Sequence, residues 1–316
     1  MTNYIAEKEA ALKGKVIPQT KRADFEQFWA ESVAQLRAIP LKVERKDRIQ
    51  TYYDKHFTTW EVSFNTHDDT VICGNFICPN DAKGKLPCVV RFHGGSLRRD
   101  PETEMQIAAT GVCCLDIDVR GQGGCSYDKA KYSCEYNSRL TTLGVLDKNE
   151  FYMRNIFLDA VRAVDAAATL PEVDPERIVT FGGSQGGGLS ITAAALSGKV
   201  KKCFNFVTSF ACIHRRIELG SGIFGPVKDF LHVYPHLTDK VMETVSYFDV
   251  NNMASLLKVP TSVCLCLDDP ICLPEFVYSV YDHIAAEEKE LNMYPFWKHQ
   301  LPSAHRDKVY EEFTKL

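Results

Sequence analysis

The stretch RIVTFGGSQGGGLSITAAAL, residues 177–196, joins a strand pattern to a helix pattern through a turn built largely of glycine. Arg177–Phe181 has the apolar, β-branched character of a buried strand, and the small residues of Leu189–Leu196 suit a packed helix. Between them, Gly182-Gly183-Ser184-Gln185-Gly186 fits G-x-S-x-G. The spacing has a steric reason. A serine on a sharp strand-to-helix turn takes a strained backbone, and side chains two residues to either side would collide. Glycine at 182 and 186 removes them. The turn lifts the Ser184 hydroxyl above the sheet and aims the first N–H groups of the helix at the space beside it, where a negative oxygen would be stabilised. Ser184 is therefore the candidate nucleophile.

Working outward, strands and helices alternate. Cys88–Phe92 is an apolar run ending in His93-Gly94-Gly95, and Glu104–Thr110 can be helical. Val112–Val119 reads as a strand ending at Arg120-Gly121-Gln122-Gly123, and Asn155–Leu170 as an amphipathic helix stopped by Pro171. Lys202–Val207, Pro260–Leu267 and Leu291–Tyr294 read as further strands, with a closing helix near Asp307–Leu316. This order predicts an α/β fold with a mostly parallel central sheet flanked by helices, its site beyond the carboxyl ends of the strands. Upstream, Ala23–Ala38 has helical spacing, and His56–Asn65 and Val71–Cys78 read as antiparallel strands. Without an internal repeat or a low-complexity linker, residues 1–316 read as one domain. It carries an N-terminal helix-and-strand extension over residues 20–80 and a cap-like insertion over 211–249.

A serine hydroxyl needs a base to take its proton, and the base needs a carboxylate to orient it. After such a turn the chain order is serine, acid, histidine. Asp268 and Asp269 follow the strand PTSVCLCL, and His299 and His305 both follow the last strand. Order alone leaves both pairs open.

Further motifs narrow the choice. Arg120-Gly121-Gln122-Gly123, Gly183-Ser184-Gln185-Gly186-Gly187, the segments LPCVV, SYFDV and LDDPICLP, and the stretch FLDAVRAVDAAATLPEVDPERIV occur in order. From DFEQFW to its end the chain resembles carbohydrate esterase family seven, the acetyl xylan esterases and cephalosporin C deacetylases of α/β-hydrolase fold. The resemblance implies Asp269 as the acid, three residues before Cys272, and His299 as the base, in Tyr294-Pro295 followed by three residues and histidine. It implies main-chain N–H groups of Gln185 and Gly95 as the oxyanion hole. It also implies removal of acetyl or other short acyl groups from sugars such as xylo-oligosaccharides, and from cephalosporin C, without metal or organic cofactor. The family forms hexameric rings of dimers, so a homo-oligomer is expected. Three features depart from the family pattern. Gln300 follows the base where the family has glutamate, Gly95 stands where it usually has tyrosine, and Tyr127–Thr142 lacks its proline-rich look.

Composition sets the outer bounds. With 45% apolar and 25% charged residues and a net charge of −4, the chain is an ordinary globular protein, and nothing invites nucleic acid or an anionic membrane. No apolar run is long enough to span a bilayer. Many of the twelve cysteines lie in apolar runs, where they act as small hydrophobes, and no signal-peptide pattern opens the chain. The expectation is a reducing cytoplasm. A metal site at Cys264, Cys266 and Cys272 fails on spacing. Arg120 is expected to brace loops rather than bind substrate, His93 to be satisfied locally, and Phe224, Tyr234 and Trp297 to pack. The competing functions are a peptidase or lipase-like carboxylesterase on the same scaffold, and a non-catalytic assembly protein.

Overall fold

Nine strands form one sheet in this computed structural model, which describes residues 4–47 and 52–316. They are β1 (Glu44–Asp47), β2 (Phe57–Asn65), β3 (Val71–Pro79), β4 (Leu86–Phe92), β5 (Cys113–Ile117), β6 (Val173–Gly183), β7 (Val200–Phe206), β8 (Thr261–Cys266) and β9 (Lys289–Tyr294). Their spatial order is β1-β2-β3-β5-β4-β6-β7-β8-β9. Pairing is antiparallel from β1 to β5 and parallel from β5 to β9. The mostly parallel α/β sheet expected from the strand–helix alternation is therefore present. Residues 48–51 of the expected extension lie outside the described residues.

The helices are α1 (Tyr4–Lys13), α2 (Phe25–Ala38), α3 (Pro101–Ala108), α4 (Tyr152–Ala167), α5 (Gln185–Ser197), α6 (Ile213–Leu219), α7 (Gly225–Val233), α8 (Thr238–Ser246), α9 (Val250–Met253), α10 (Pro274–His283) and α11 (Ser303–Phe313). The strand period explains how they cover the sheet. On β4, Cys88, Val90 and Phe92 join the larger core with α2, α4 and α5. Val89 points the other way, into a core that it shares with Ile107 of α3 and with Val309 and Phe313 of α11. Phe313 meets Phe204 and Phe181 edge-on at 5.2 and 5.7 Å. Over β4, β6 and β7 both faces are covered, which leaves the ends of these strands open for chemistry.

Four elements have no counterpart in the sequence reading: α1, β1, α9 and α10. The segment 211–249 folds as α6, α7 and α8 with short connecting turns.

Candidate active site

Ser184 is the single residue between the end of β6 and the start of α5, with φ 55° and ψ −120°. The strain is held by three main-chain bonds. Ser184 N donates to Phe206 O at 3.0 Å, and Ser184 O accepts from Ser209 N at 2.9 Å and Gly188 N at 3.2 Å. The flanking glycines are needed. A Cβ on Gly182 would lie 2.5 Å from Gly186 O, and one on Gly186 would lie 2.0 Å from Phe92 O.

Asp269 follows β8 and is buried, whereas Asp268 is exposed. Asp269 Oδ1 accepts from Ile271 N at 2.8 Å and Cys272 N at 2.9 Å, and Oδ2 lies 2.8 Å from His299 Nδ1. These bonds fix the carboxylate before it meets the ring. The structure brings together Asp269 and His299, and not His305. His305 is buried on α11 with Nδ1 3.3 Å from Tyr294 Oη, and burial pushes its pKa down to about 4. His299 moves the other way. Burial acts to lower its pKa, but its hydrogen bonds with Asp269 and Cys272 outweigh that and raise it to about 10. No hydrogen bond joins Ser184 Oγ to His299 among the described residues.

Ser184, Gln185 and Gly95 line one cavity of about 530 Å³. Ser138–Thr141, from the stretch that departs from the family pattern, forms part of its wall, as do Arg216, Gly222, Ile223 and Pro226 of the 211–249 segment. Thr141 Oγ1 donates to Ile223 O at 2.7 Å and ties these two walls together. At Gly95 a Cβ would meet only Gln185 Oε1, at 3.8 Å, so packing does not demand glycine there. Gln300 is exposed, and its main-chain O accepts from Cys266 Sγ at 3.5 Å. Phe224 is fully buried, Tyr234 is exposed with its ring 5.1 Å from that of Phe230, and Trp297 packs on Val207, Cys264 and Cys266. None of the three lines this cavity.

Gln122 is a residue whose role the sequence reading missed. Its amide pairs reciprocally with that of Gln185, at 2.8 and 3.1 Å, and its Oε1 also accepts from Ser96 N at 2.9 Å. It thereby links the turn after Ser184 to the loop carrying Gly95. The signal was the glutamine of Arg120-Gly121-Gln122-Gly123. If Gln185 and Gly95 carry the oxyanion donors that the sequence reading expects, Gln122→Ala lowers kcat for an acetate ester roughly tenfold with little change in KM, because misplacing such donors costs transition-state binding alone. Steady-state kinetics on the purified variant check it.

Arg120 braces the same loop. Fully buried, it holds Asp159 through two bonds of 2.6 and 2.7 Å, Asp68 at 2.7 Å and Asp128 at 3.3 Å. Its carbonyl accepts from Tyr152 Oη at 2.7 Å, and Tyr152 Oη in turn accepts from Gln122 Nε2 at 3.1 Å. His93 is satisfied locally, between Gly94 O at 2.7 Å and Val119 N at 2.9 Å.

Asp269, Cys272 and His299 are the group among the described residues whose donor atoms could hold a metal ion, all lying within 4.8 Å of one another. Both oxygens of Asp269 are already engaged by hydrogen bonds. Cys264 and Cys266, considered with Cys272 from the sequence, lie outside this group. No helix among the described residues is long and apolar enough to cross a membrane.

Comparison with known proteins places these features in context. The model of the acetyl xylan esterase family matches residues 12–316. A curated relative, acetyl esterase Axe7A of Xylanibacter ruminicola, is 26% identical over 288 residues, covering 87% of this chain. The chain spans 63% of that relative's length. Among solved structures, the acetyl xylan esterase from Paenibacillus sp. R4 is 32% identical with a TM-score of 0.92, covering 97% of this chain and 98% of that one. Acetyl xylan esterase 1 from Thermoanaerobacterium sp. JW/SL YS485 is 27% identical with a TM-score of 0.89, over the same shares of both chains.

Proposed function

Because the chain belongs to the acetyl xylan esterase family, we propose that it is a serine esterase that removes acetyl groups from sugars through an acyl-enzyme. Ser184 Oγ attacks the ester carbonyl while His299 Nε2 takes its proton. Asp269 holds the other ring nitrogen and stabilises the imidazolium. The N–H groups of Gln185 and Gly95 receive the developing oxyanion, each donor contributing roughly 3 kcal/mol. His299 returns the proton to the departing sugar oxygen. Water, deprotonated by the same ring, then releases acetate and restores the serine. The 2.8 Å bond between Asp269 and His299 is the observation that most supports this reading, since it leaves Nε2 as the nitrogen free for serine. The mechanism requires the Ser184–His299 contact to form with substrate bound, because catalytic hydrogen bonds are often long in free enzymes and tighten in the complex.

The test is labelling with a fluorophosphonate together with an acyl-length series. The expected result is covalent modification at Ser184 and hydrolysis that falls steeply beyond short acyl chains. A failure to label would favour a non-catalytic protein, and a preference for long chains would favour a lipase-like enzyme.

The pH profile follows from His299. The base works only when neutral, and its pKa is raised from 6.5 to about 10. The expected kcat/KM therefore keeps climbing above pH ~8, where an unperturbed imidazole would have levelled off. A plateau near neutrality in the measured profile would show that Asp269 does not hold the imidazolium this strongly in the working enzyme. The linkage to stability has the same origin. The raised pKa stabilises the fold fully below the unfolded value of 6.5, and that contribution is lost as pH rises through about 10.

The reading extends to the setting. Cys88, Cys114 and Cys203 are wholly buried as small apolar side chains, which supports a reducing, cytoplasmic compartment. A homo-oligomer, hexameric as the family pattern implies, completes the proposal, with acetylated carbohydrate as partner and neither nucleic acid nor membrane.

A further inference from the structure

The cavity that holds Ser184 is lined by two arginines, Arg139 and Arg216, and by no aspartate or glutamate. Arg216, on α6, is 1% exposed. Its Nε donates to Ala211 O at 2.8 Å and its Nη1 to Ile271 O at 2.9 Å. Its Nη2 has no hydrogen-bond partner among the described residues. The guanidinium carbon stands 5.0 Å from the ring centre of Phe276. Its direct partners are thus two neutral carbonyls and a ring face, and no carboxylate forms an ion pair with it among the described residues. Arg120, equally buried in the same chain, has three aspartates around it. The contrast matters, because a buried guanidinium is costly without a counter-charge. Arg139 is exposed where the Tyr127–Thr142 stretch reaches the cavity, so a second uncompensated charge stands at the rim.

We propose that Arg216 and Arg139 form an anion subsite beside Ser184, and that the substrate is an acetate ester of a sugar that also carries a carboxylate, the chemistry of a uronic acid. This rests on the esterase reading above and names the substrate class for that site. A neutral hydroxyl would satisfy the free Nη2 and leave the charge unbalanced. A carboxylate does both, one oxygen accepting from Nη2 while Nε and Nη1 keep Ala211 O and Ile271 O. The ester reaction itself is unchanged: the acetyl carbon is transferred to Ser184 and then to water, and the carboxylate remains on the departing sugar.

The experiment compares two substrates differing only in charge, the methyl glycoside of an acetylated glucuronic acid and its neutral methyl ester. The wild-type protein is expected to favour the acid in kcat/KM by roughly tenfold. R139Q is expected to reduce that ratio roughly twofold at low salt, with little further effect at high salt, because an exposed charge is screened. R216Q is expected to bring the ratio close to one. Arg216 also bridges Ala211 and Ile271, so R216Q risks the fold; R139Q then decides alone. A wild-type ratio of one or less overturns the subsite and leaves the esterase reading standing. A high ratio unmoved by R139Q, and by R216Q where it folds, overturns the assignment to these arginines. Hydrolysis of neither ester overturns the esterase reading and this one with it.

Discussion

Replacing Ser184 with alanine is expected to lower kcat for a chromogenic acetate ester by on the order of 10⁵-fold or more, with the fold and its stability almost unchanged. The activity loss has a simple cause. In the proposed mechanism, His299 and the main-chain donors of Gln185 and Gly95 then act on a water that no backbone positions, and the covalent route is closed. The stability expectation comes from the turn. Its strain at φ 55° is held by main-chain bonds to Phe206, Ser209 and Gly188, none of which involves the hydroxyl. Alanine meets the same steric demand at positive φ as serine does, so the elbow persists. Kinetics and a urea unfolding curve on one preparation check both halves. A variant that keeps even a hundredth of wild-type turnover, free of contaminating esterase, would remove Ser184 from the mechanism.

The ease with which Ser184 could be found contrasts with the rest of the site. Its requirement is local: five residues, two of them glycines whose Cβ atoms would strike backbone oxygens, carry the geometry in sequence order. The proposed acid and base are 30 residues apart and meet only because β8 and β9 are adjacent and parallel. Order left His299 and His305 unresolved, and the family pattern favoured His299. Starting the closing helix at Ser303 rather than near Asp307 places His305 on it, where His305, Val309 and Phe313 recur every four residues and share the buried face of α11. The start of α5 was placed four residues late, at Leu189. Gly186, Gly187 and Gly188 each oppose helix by about 1 kcal/mol, and the tight fit against β4 and β7 overrides them. α10 was missed although Pro274 opens it and Phe276, Val277 and Val280 form its apolar face. Least legible was the cavity wall at Ser138–Thr141, where irregular backbone offers no period to read.

Arg120→Met is expected to destabilise the protein by about 3–5 kcal/mol, the cost of leaving a buried charge cluster without its centre. Asp159 is buried on α4, while Asp68 lies between β2 and β3 and Asp128 in the loop beyond β5. One guanidinium thus joins three segments that are remote in sequence, and its removal leaves their carboxylates facing one another. Arg120→Lys is expected to recover only part of the loss, because an ammonium cannot reproduce the paired bonds to Asp159. Adding Asp159→Leu to Arg120→Met is expected to restore some stability by removing the stranded carboxylate, and a double-mutant cycle in urea measures that coupling. The same substitution should reach the chemistry. Arg120 O anchors Tyr152 Oη, which accepts from Gln122, and Gln122 pairs with Gln185 beside Ser184. Activity at a temperature where Arg120→Met is still folded is therefore expected to fall roughly as far as in Gln122→Ala. A folded Arg120→Met protein with wild-type kcat would show that the brace serves stability alone.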